Sequence, residues 1–287
     1  MKIFTAKLNK NKLNNTMETS ALEALTCKVC GLSQATGAWI REQIGHVANS
    51  QIETKAFNSL VSFVDKTAEE QLISALGEYL PASQFVAEES APEEIVNQDD
   101  YFWIIDPLDG TTNFLHQIPF FAISIALYHR GKILLAVVYE VNRQELFYTW
   151  QGAPTSYLNG KPIQVTQNQD FKNALLATGF PYYNFAYTRH YLYLLEDLMQ
   201  SMRGLRRLGS AALDLAYTAC GRFDGFFEYS LSPWDVAAGA FLVQQAGGIV
   251  TDFKNEDNYL FGKSIIAASP AAHSVLQQKI VHHFEQL

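Results

Sequence analysis

The stretch that most constrains this chain is Trp103-Ile104-Ile105-Asp106-Pro107-Leu108-Asp109-Gly110-Thr111-Thr112-Asn113-Phe114. It begins as an apolar run of β-branched and aromatic residues and ends in turn formers, the pattern of a buried strand that stops at a bend. Pro107 biases Asp106 toward extended backbone, so the strand is predicted to end at Asp106. Gly110 permits a tight turn before the polar Thr-Thr-Asn segment. Asp106 and Asp109 then stand three positions apart across the bend. Their carboxylates and the Leu108 carbonyl can converge on one hard cation. The N–H groups of Gly110 and Thr111 can face an anion. Asp-Pro and Asp-Gly are also common turn dipeptides, so an ordinary turn stays open until other residues decide.

Composition narrows the partners. A chain of 287 residues, 48% hydrophobic, can bury a core without staples as one large domain or two packed halves. Its net charge of −8 suits neither nucleic acid nor a phosphate ester, unless bound cations reverse the local charge. Three Cys argue against a disulfide framework and fit a reducing, cytoplasmic setting. Cys27 and Cys30 have C-x-x-C spacing, but they lie in a helical pattern with no second pair, which favours a structural role over a zinc site. No apolar run is long enough to span a membrane, so no membrane partner is expected. Residues 1–17 open on a Lys- and Asn-rich stretch without acids and without the apolar core of a secretory signal. They are expected to be a disordered tail, with a start at Met17 as the alternative.

From Glu18 to Ala48, Leu22, Leu25, Val29, Leu32, Trp39, Ile40 and Ile44 recur at helical spacing. Residues 52–59 read as a polar loop, and Leu60–Asp65 as a short strand ending in an acid. Asp65 either acts in catalysis or caps the next helix. Thr67 with Glu70 forms a candidate capping box for that helix, which Pro81 closes. Phe85–Ala87 runs into Glu88-Glu89-Ser90, although adjacent acids also suit a solvated loop. Three apolar runs thus end in an acid, and open α/β sheets bind ligands at the edge where strand ends gather. Residues 91–100 read as an exposed acidic linker.

Phe121–Tyr128 and Ile133–Tyr139, joined through Gly131, predict a hairpin. Glu145–Trp150 adds a strand and Asn159-Gly160 a turn. Tyr187–Met202 returns to helical spacing. Arg203, Arg206 and Arg207 can bind phosphate or form ion pairs or an interface. Leu208–Ala216 is a small-residue helix with Ser210 as its cap. Asp224–Tyr229 reads as a strand carrying Glu228. Pro233 opens a helix with Asp235 in its first turn, where an acid can simply face the helix dipole. Two short strands, Ile249–Thr251 and Ser264–Ala268, precede a closing helix over Pro270–Gln286, with His282 and His283 expected in solvent.

Glu88, Asp106, Asp109 and Asp235, with Asp65 and Thr111 beside them, form a set of hard oxygen donors that suits Mg²⁺. Few His and no Cys join it, which argues against zinc or copper. Here the chain resembles the inositol monophosphatases, in the lithium-sensitive, Mg²⁺-dependent superfamily that includes fructose-1,6-bisphosphatases. The resemblance rests on Glu88-Glu89-Ser90, on Asp106 to Phe114 and on Trp234-Asp235-Val236-Ala237-Ala238-Gly239, supported by Leu60-Val61 with Asp65 and by Gly209-Ser210-Ala211-Ala212. It covers about Glu18 to the C-terminus.

The resemblance implies a layered αβαβα sandwich, α+β or α/β in class. It implies one catalytic phosphatase domain over 18–287, with a metal-binding half at about 18–180 and an α/β half at about 181–287. Glu88, Asp106, the Leu108 carbonyl, Asp109 and Asp235 match the ligands of two or three Mg²⁺ ions. Asp65 and Thr111 match the catalytic pair that orients the attacking water. The backbone of Gly110 and Thr111 matches the phosphate cradle, and Ser210, Ala211 and Glu228 match the substrate's polyol side. A homodimer hydrolysing inositol monophosphate is implied. Ser59 stands where the family usually has Asp, which bears on the loop near Lys55. Histidinol-phosphate phosphatases of the same fold are the nearest rival; the Lys usual after the first Thr in nucleotide 3′-phosphatases is missing. A non-catalytic interaction scaffold is the alternative from another class.

Overall fold

The structure is a computed structural model that describes residues 17–56, 59–90, 99–181 and 185–284. The expected N-terminal tail, most of the acidic linker and the side chains around Lys55 and Ser59 lie outside the described residues.

Two helices, α1 (Thr19–Glu42) and α2 (Phe63–Tyr79), form the first layer. Leu22, Leu25, Val29 and Ile40 of α1 are buried at the spacing of one helical face. They cover a seven-stranded sheet built from β3 (Gln84–Ala87), β4 (Tyr101–Asp109), β5 (Ala122–His129), β6 (Lys132–Glu140), β7 (Glu145–Trp150), β8 (Ser156–Leu158) and β9 (Lys161–Ile163), in that spatial order. β3 and β4 are parallel and the other neighbours antiparallel. Successive side chains of a strand face opposite ways. Trp103 and Ile105 of β4 accordingly join the core under α1 and α2, while Phe102 and Ile104 join a second core on the far face. That double burial is why the strand reads as a continuous apolar run.

The middle layer is α5 (Ala211–Ala219) and α6 (Pro233–Gln245). Every residue of α5 is buried, as expected of a helix with sheets on both sides. Small residues admit the pair. Ala122, Ala126 and Ala136 face it from the large sheet, and a Cβ on Gly239 would meet Leu215 Cβ at 2.4 Å. The fourth layer is a five-stranded sheet of β10 (Leu175–Thr178), β11 (Gly204–Arg206), β12 (Gly225–Tyr229), β13 (Ile249–Thr251) and β14 (Ser264–Ala268), ordered β11-β10-β12-β14-β13. Outside it lie α4 (Thr188–Ser201) and α7 (Pro270–Phe284), whose Leu194, Leu198, Leu276 and Ile280 share a third core. The architecture is the expected αβαβα sandwich, and its small sheet takes its first strand from Leu175, a few residues before the 180/181 division.

Several local expectations are corrected. β4 continues through Pro107 to Asp109 with a shift of register between Asp106 and Asp109, because the break in pairing absorbs the proline. Residues 52–59 are not all loop: β1 (Ile52–Ala56) pairs antiparallel with β2 (Ser59–Ser62). α2 starts at Phe63, and its capping box is Ser62 with Asp65 rather than Thr67 with Glu70. His283 is half-buried, with Nε2 3.3 Å from the Asp197 carboxylate, so only His282 is exposed. Among the described residues no helix is long and apolar enough to cross a membrane.

All three Cys are free thiols. Cys27 faces solvent, whereas burial pushes the Cys30 thiol up to about 12. A disulfide-exchange reagent at pH 8 is therefore expected to label Cys27 within the mixing time and Cys30 only on unfolding, as peptide mapping of the labelled chain would read. Equal rates in the folded protein would contradict the assigned helix face.

Candidate active site

The end of β4 is where the layers meet. β3 runs parallel beside it, and the Glu88 amide donates to the Ile105 carbonyl at 3.2 Å, which carries Glu88 to the level of Asp106. Buried Glu69 of α2 accepts from the Glu89 amide at 2.8 Å and fixes that turn. α6 starts at the same level, held by Ser124 Oγ donating to the Trp234 carbonyl at 3.3 Å. α5 starts there too, since the Asp109 carboxylate reaches it directly. Gly110 has φ +102°, and a Cβ there would lie 3.1 Å from the Phe120 carbonyl oxygen, so only glycine turns the chain into the one-turn helix α3 (Thr111–Leu115).

These ends surround one cavity of about 1160 Å³. Glu88, Asp106, Leu108, Asp109 and Asp235, the expected ligands, all line it. So do Gly110, Thr111, Ser210, Ala211 and Glu228. Asp65 does not line it; it sits 1% exposed behind Thr111 and is reached through Thr111 Oγ1, which donates to Asp65 Oδ1 at 2.7 Å. Asp65 Oδ2 accepts from the Ser62 amide at 2.8 Å and from Ser62 Oγ at 2.7 Å. The two readings of Asp65 are thus compatible: one oxygen caps α2 and the other faces Thr111.

Asp106, Asp109 and Asp235 are each aimed by a protein donor. Asp106 Oδ1 accepts from the Leu108 amide at 2.9 Å, and Asp235 Oδ2 accepts from the Ser232 amide at 2.7 Å. Asp109 Oδ2 accepts from Ser210 Oγ at 2.6 Å and from the Ala212 amide at 2.7 Å. Burial first, then the negative charges of Glu88, Asp109 and Asp235, hold Asp106 well above the usual carboxylate range. Burial raises Asp109 to about 6 against the bonds from Ser210 and Ala212. Among the described residues no three His, Cys, Asp or Glu side chains are drawn to coordination distance of one point. Asp106, Asp109 and Asp235 are instead each turned to a donor of their own. The donor set still fits a hard divalent cation: carboxylates and a backbone carbonyl share one wall, and their mutual repulsion is what such an ion would relieve.

Two further residues of the site, Asp214 and Gly179, escape a sequence reading, and Arg207, open there between phosphate binding and ion pairing, joins them. Arg207 lines the cavity, and its charge opposes the upward pull that burial and neighbouring acids exert on Glu228 and Asp214. That favours the ion-pairing reading of the arginine cluster for this residue. Asp214 is 1% exposed, and its Oδ1 has no hydrogen-bond partner among the described residues. The only hint in the sequence is an acid between Leu213 and Leu215 in an otherwise apolar helix. Gly179 gives no hint: a Cβ there would fall 2.0 Å from the Glu228 carboxylate.

The five layers and the acid-lined cavity at their junction define a protein with a phosphatase fold. A profile of the inositol monophosphatase family matches residues 21–287, and the chain belongs to that family. It is 41% identical over 251 residues to a putative Nus factor SuhB of Neisseria meningitidis, an alignment covering 88% of this chain and 95% of that protein. Among solved structures, the extragenic suppressor protein suhB of Bartonella henselae superposes with a TM-score of 0.84 at 38% identity, covering 90% of this chain and 98% of the other. An IMPase of Thermotoga maritima superposes at 0.81 with 31% identity, covering 91% and 98%.

Gly179→Ala is expected to cost about 1–3 kcal/mol, the usual penalty for overpacking, because the new methyl must displace the Glu228 carboxylate. Urea unfolding would read it, and a midpoint equal to wild type would mean that Glu228 is not held against this glycine.

Proposed function

We propose that this protein hydrolyses small phosphomonoesters with Mg²⁺, two or three ions held by Glu88, Asp106, the Leu108 carbonyl, Asp109 and Asp235, and that inositol monophosphate is the preferred substrate. The observation that carries the reading is the Thr111–Asp65 hydrogen bond at 2.7 Å, set against the acid wall. Divalent ions bound there would neutralise the phosphoryl oxygens and supply a nucleophilic water at neutral pH. Thr111 is too weak an acid to serve as a base alone. With its proton committed to Asp65, its oxygen accepts a hydrogen bond from the attacking water and orients it for in-line attack. The amides of Gly110 and Thr111 hold the phosphoryl oxygens as charge spreads over them in the transition state. Water is the nucleophile, so no phosphoenzyme forms. Ala211 and Glu228 border the alcohol side.

Family membership supports the inositol assignment, with histidinol phosphate as the alternative substrate. By the same resemblance we propose a homodimer and inhibition by Li⁺. The name Nus factor, carried by the Neisseria relative, supports a second reading in which the chain works through an interaction surface. The two readings separate cleanly, because the second does not need the acid wall.

Asp109→Asn is expected to abolish Mg²⁺-dependent phosphate release with the far-UV circular dichroism unchanged; near-wild-type turnover would refute the metal role. Thr111→Val is expected to lower kcat by about 10²–10⁴-fold, the range for a lost proton relay, and Thr111→Ser to restore most of it. Substrate choice is read from phosphate release on myo-inositol 1-phosphate, histidinol phosphate, a nucleotide 3′-phosphate and fructose 1,6-bisphosphate, each with and without Li⁺. Inositol 1-phosphate is expected to lead, and comparable rates on all four would defeat the assignment.

A further inference from the structure

We infer that Ser210 is a positioning residue for Asp109, and that its hydroxyl sets the cation affinity of the site instead of recognising the alcohol. The inference rests on the metal-dependent reading above and refines one residue within it. Ser210 is 1% exposed, so a bound alcohol has almost no surface of it to touch. Its Oγ lies 2.6 Å from Asp109 Oδ2 and 3.4 Å from the Leu213 amide. A serine hydroxyl has one proton. The Leu213 amide can only donate, and an ionised Asp109 can only accept. The proton is therefore committed to Asp109, and Ser210 has none to offer a substrate.

The same carboxylate oxygen also accepts from the Ala212 amide at 2.7 Å. Asp109, which ends a strand of the large sheet, is thereby locked onto the start of α5 in the middle layer. A second tie holds the turn in place. Asn113 Nδ2 donates to the carbonyls of Phe120 and Leu208, each at 2.8 Å. The segment 109–113 therefore grips the turn 208–212 at both ends, and among the described residues Ser210 supplies the one side-chain donor that fixes the rotation of the Asp109 carboxylate. Partners that orient ligating carboxylates in this way typically change metal affinity by about 10–100-fold when removed.

The test uses Ser210→Gly and Ser210→Thr in the full chain. Glycine keeps the helix start, being a tolerated N-cap, but removes the hydroxyl; threonine keeps both. Binding is measured with Mn²⁺, the free ion being counted by its electron paramagnetic resonance signal. KM for myo-inositol 1-phosphate is measured separately at saturating Mg²⁺. Ser210→Gly is expected to weaken Mn²⁺ binding by about 10–100-fold with KM unchanged, and Ser210→Thr to bind as wild type. Wild-type Mn²⁺ affinity in Ser210→Gly overturns the inference. So does a raised KM at saturating metal with unchanged Mn²⁺ affinity, which would place the hydroxyl on the substrate. If Ser210→Gly does not fold, Ser210→Ala, which also removes the donor, is judged by the same criteria. Failure of wild type itself to bind Mn²⁺ would bring down the metal-dependent reading as well, which separates the two failures.

Discussion

Negative charge buried in one wall is the constraint that the rest of this molecule answers to. Asp106 is 2% exposed and Asp109 9% exposed, and Glu88 and Asp235 raise the cost of ionising Asp106 further. Side chains of this type stay buried only with donors aimed at them. Here the donors come from three places: the bent end of β4, the start of α5 and the start of α6. Both central helices thus begin at the wall, with their unpaired amides and the positive end of their dipoles toward it. The layering is therefore electrostatic as well as hydrophobic, since the middle layer supplies partial positive charge where the sheet presents carboxylates.

That arrangement requires the middle layer to sit close. Leu215 packs against the bare Cα of Gly239, and alanines line the large sheet where α5 and α6 lie on it. Core packing at this density transmits small displacements rather than absorbing them. A shift of α5 would carry Ser210 and the Ala212 amide away from Asp109, and a shift of α6 would carry Asp235 with it. The small residues around the Trp-Asp motif are thus part of the site's geometry without touching it.

Most of the fold was legible because it is written in periodicity. The α1 face, the hairpin of β5 and β6, the cap at Ser210, the helix start at Pro233, and the burial of β4 follow from spacing and turn chemistry alone. The candidate ligands on Asp106 to Gly110 were legible for the same reason, since a strand end and a glycine bend fix their neighbours in space. What failed was local competition. Pro107 argued for a strand end at Asp106, yet pairing with β5 resumes at Asp109 after the register break. Ser62 outcompeted Thr67 as the cap because its side chain and amide meet Asp65 together. Gly179 and Asp214 were illegible because their roles depend on Glu228, about 50 and 14 positions away on a separate element, and no local pattern records which strands become neighbours.

The proton of Thr111 shows how such distant contacts decide chemistry. Thr111 Oγ1 lies 2.7 Å from Asp65 Oδ1 and 3.1 Å from the Leu108 carbonyl oxygen, and one hydroxyl proton cannot serve both fully. The bond to a carboxylate is shorter and charge-assisted, roughly twice as strong as one to a neutral carbonyl, so the proton belongs to Asp65. Asp65 cannot rotate away, because Ser62 holds its other oxygen with two donors. On the proposed function, the Leu108 carbonyl then keeps its electron pairs for a cation, and the lone pairs of Thr111 remain for water. An acid that caps α2 thereby sets the direction of a hydroxyl carried by α3, so the cap and the proposed catalytic role of Asp65 are compatible in one arrangement.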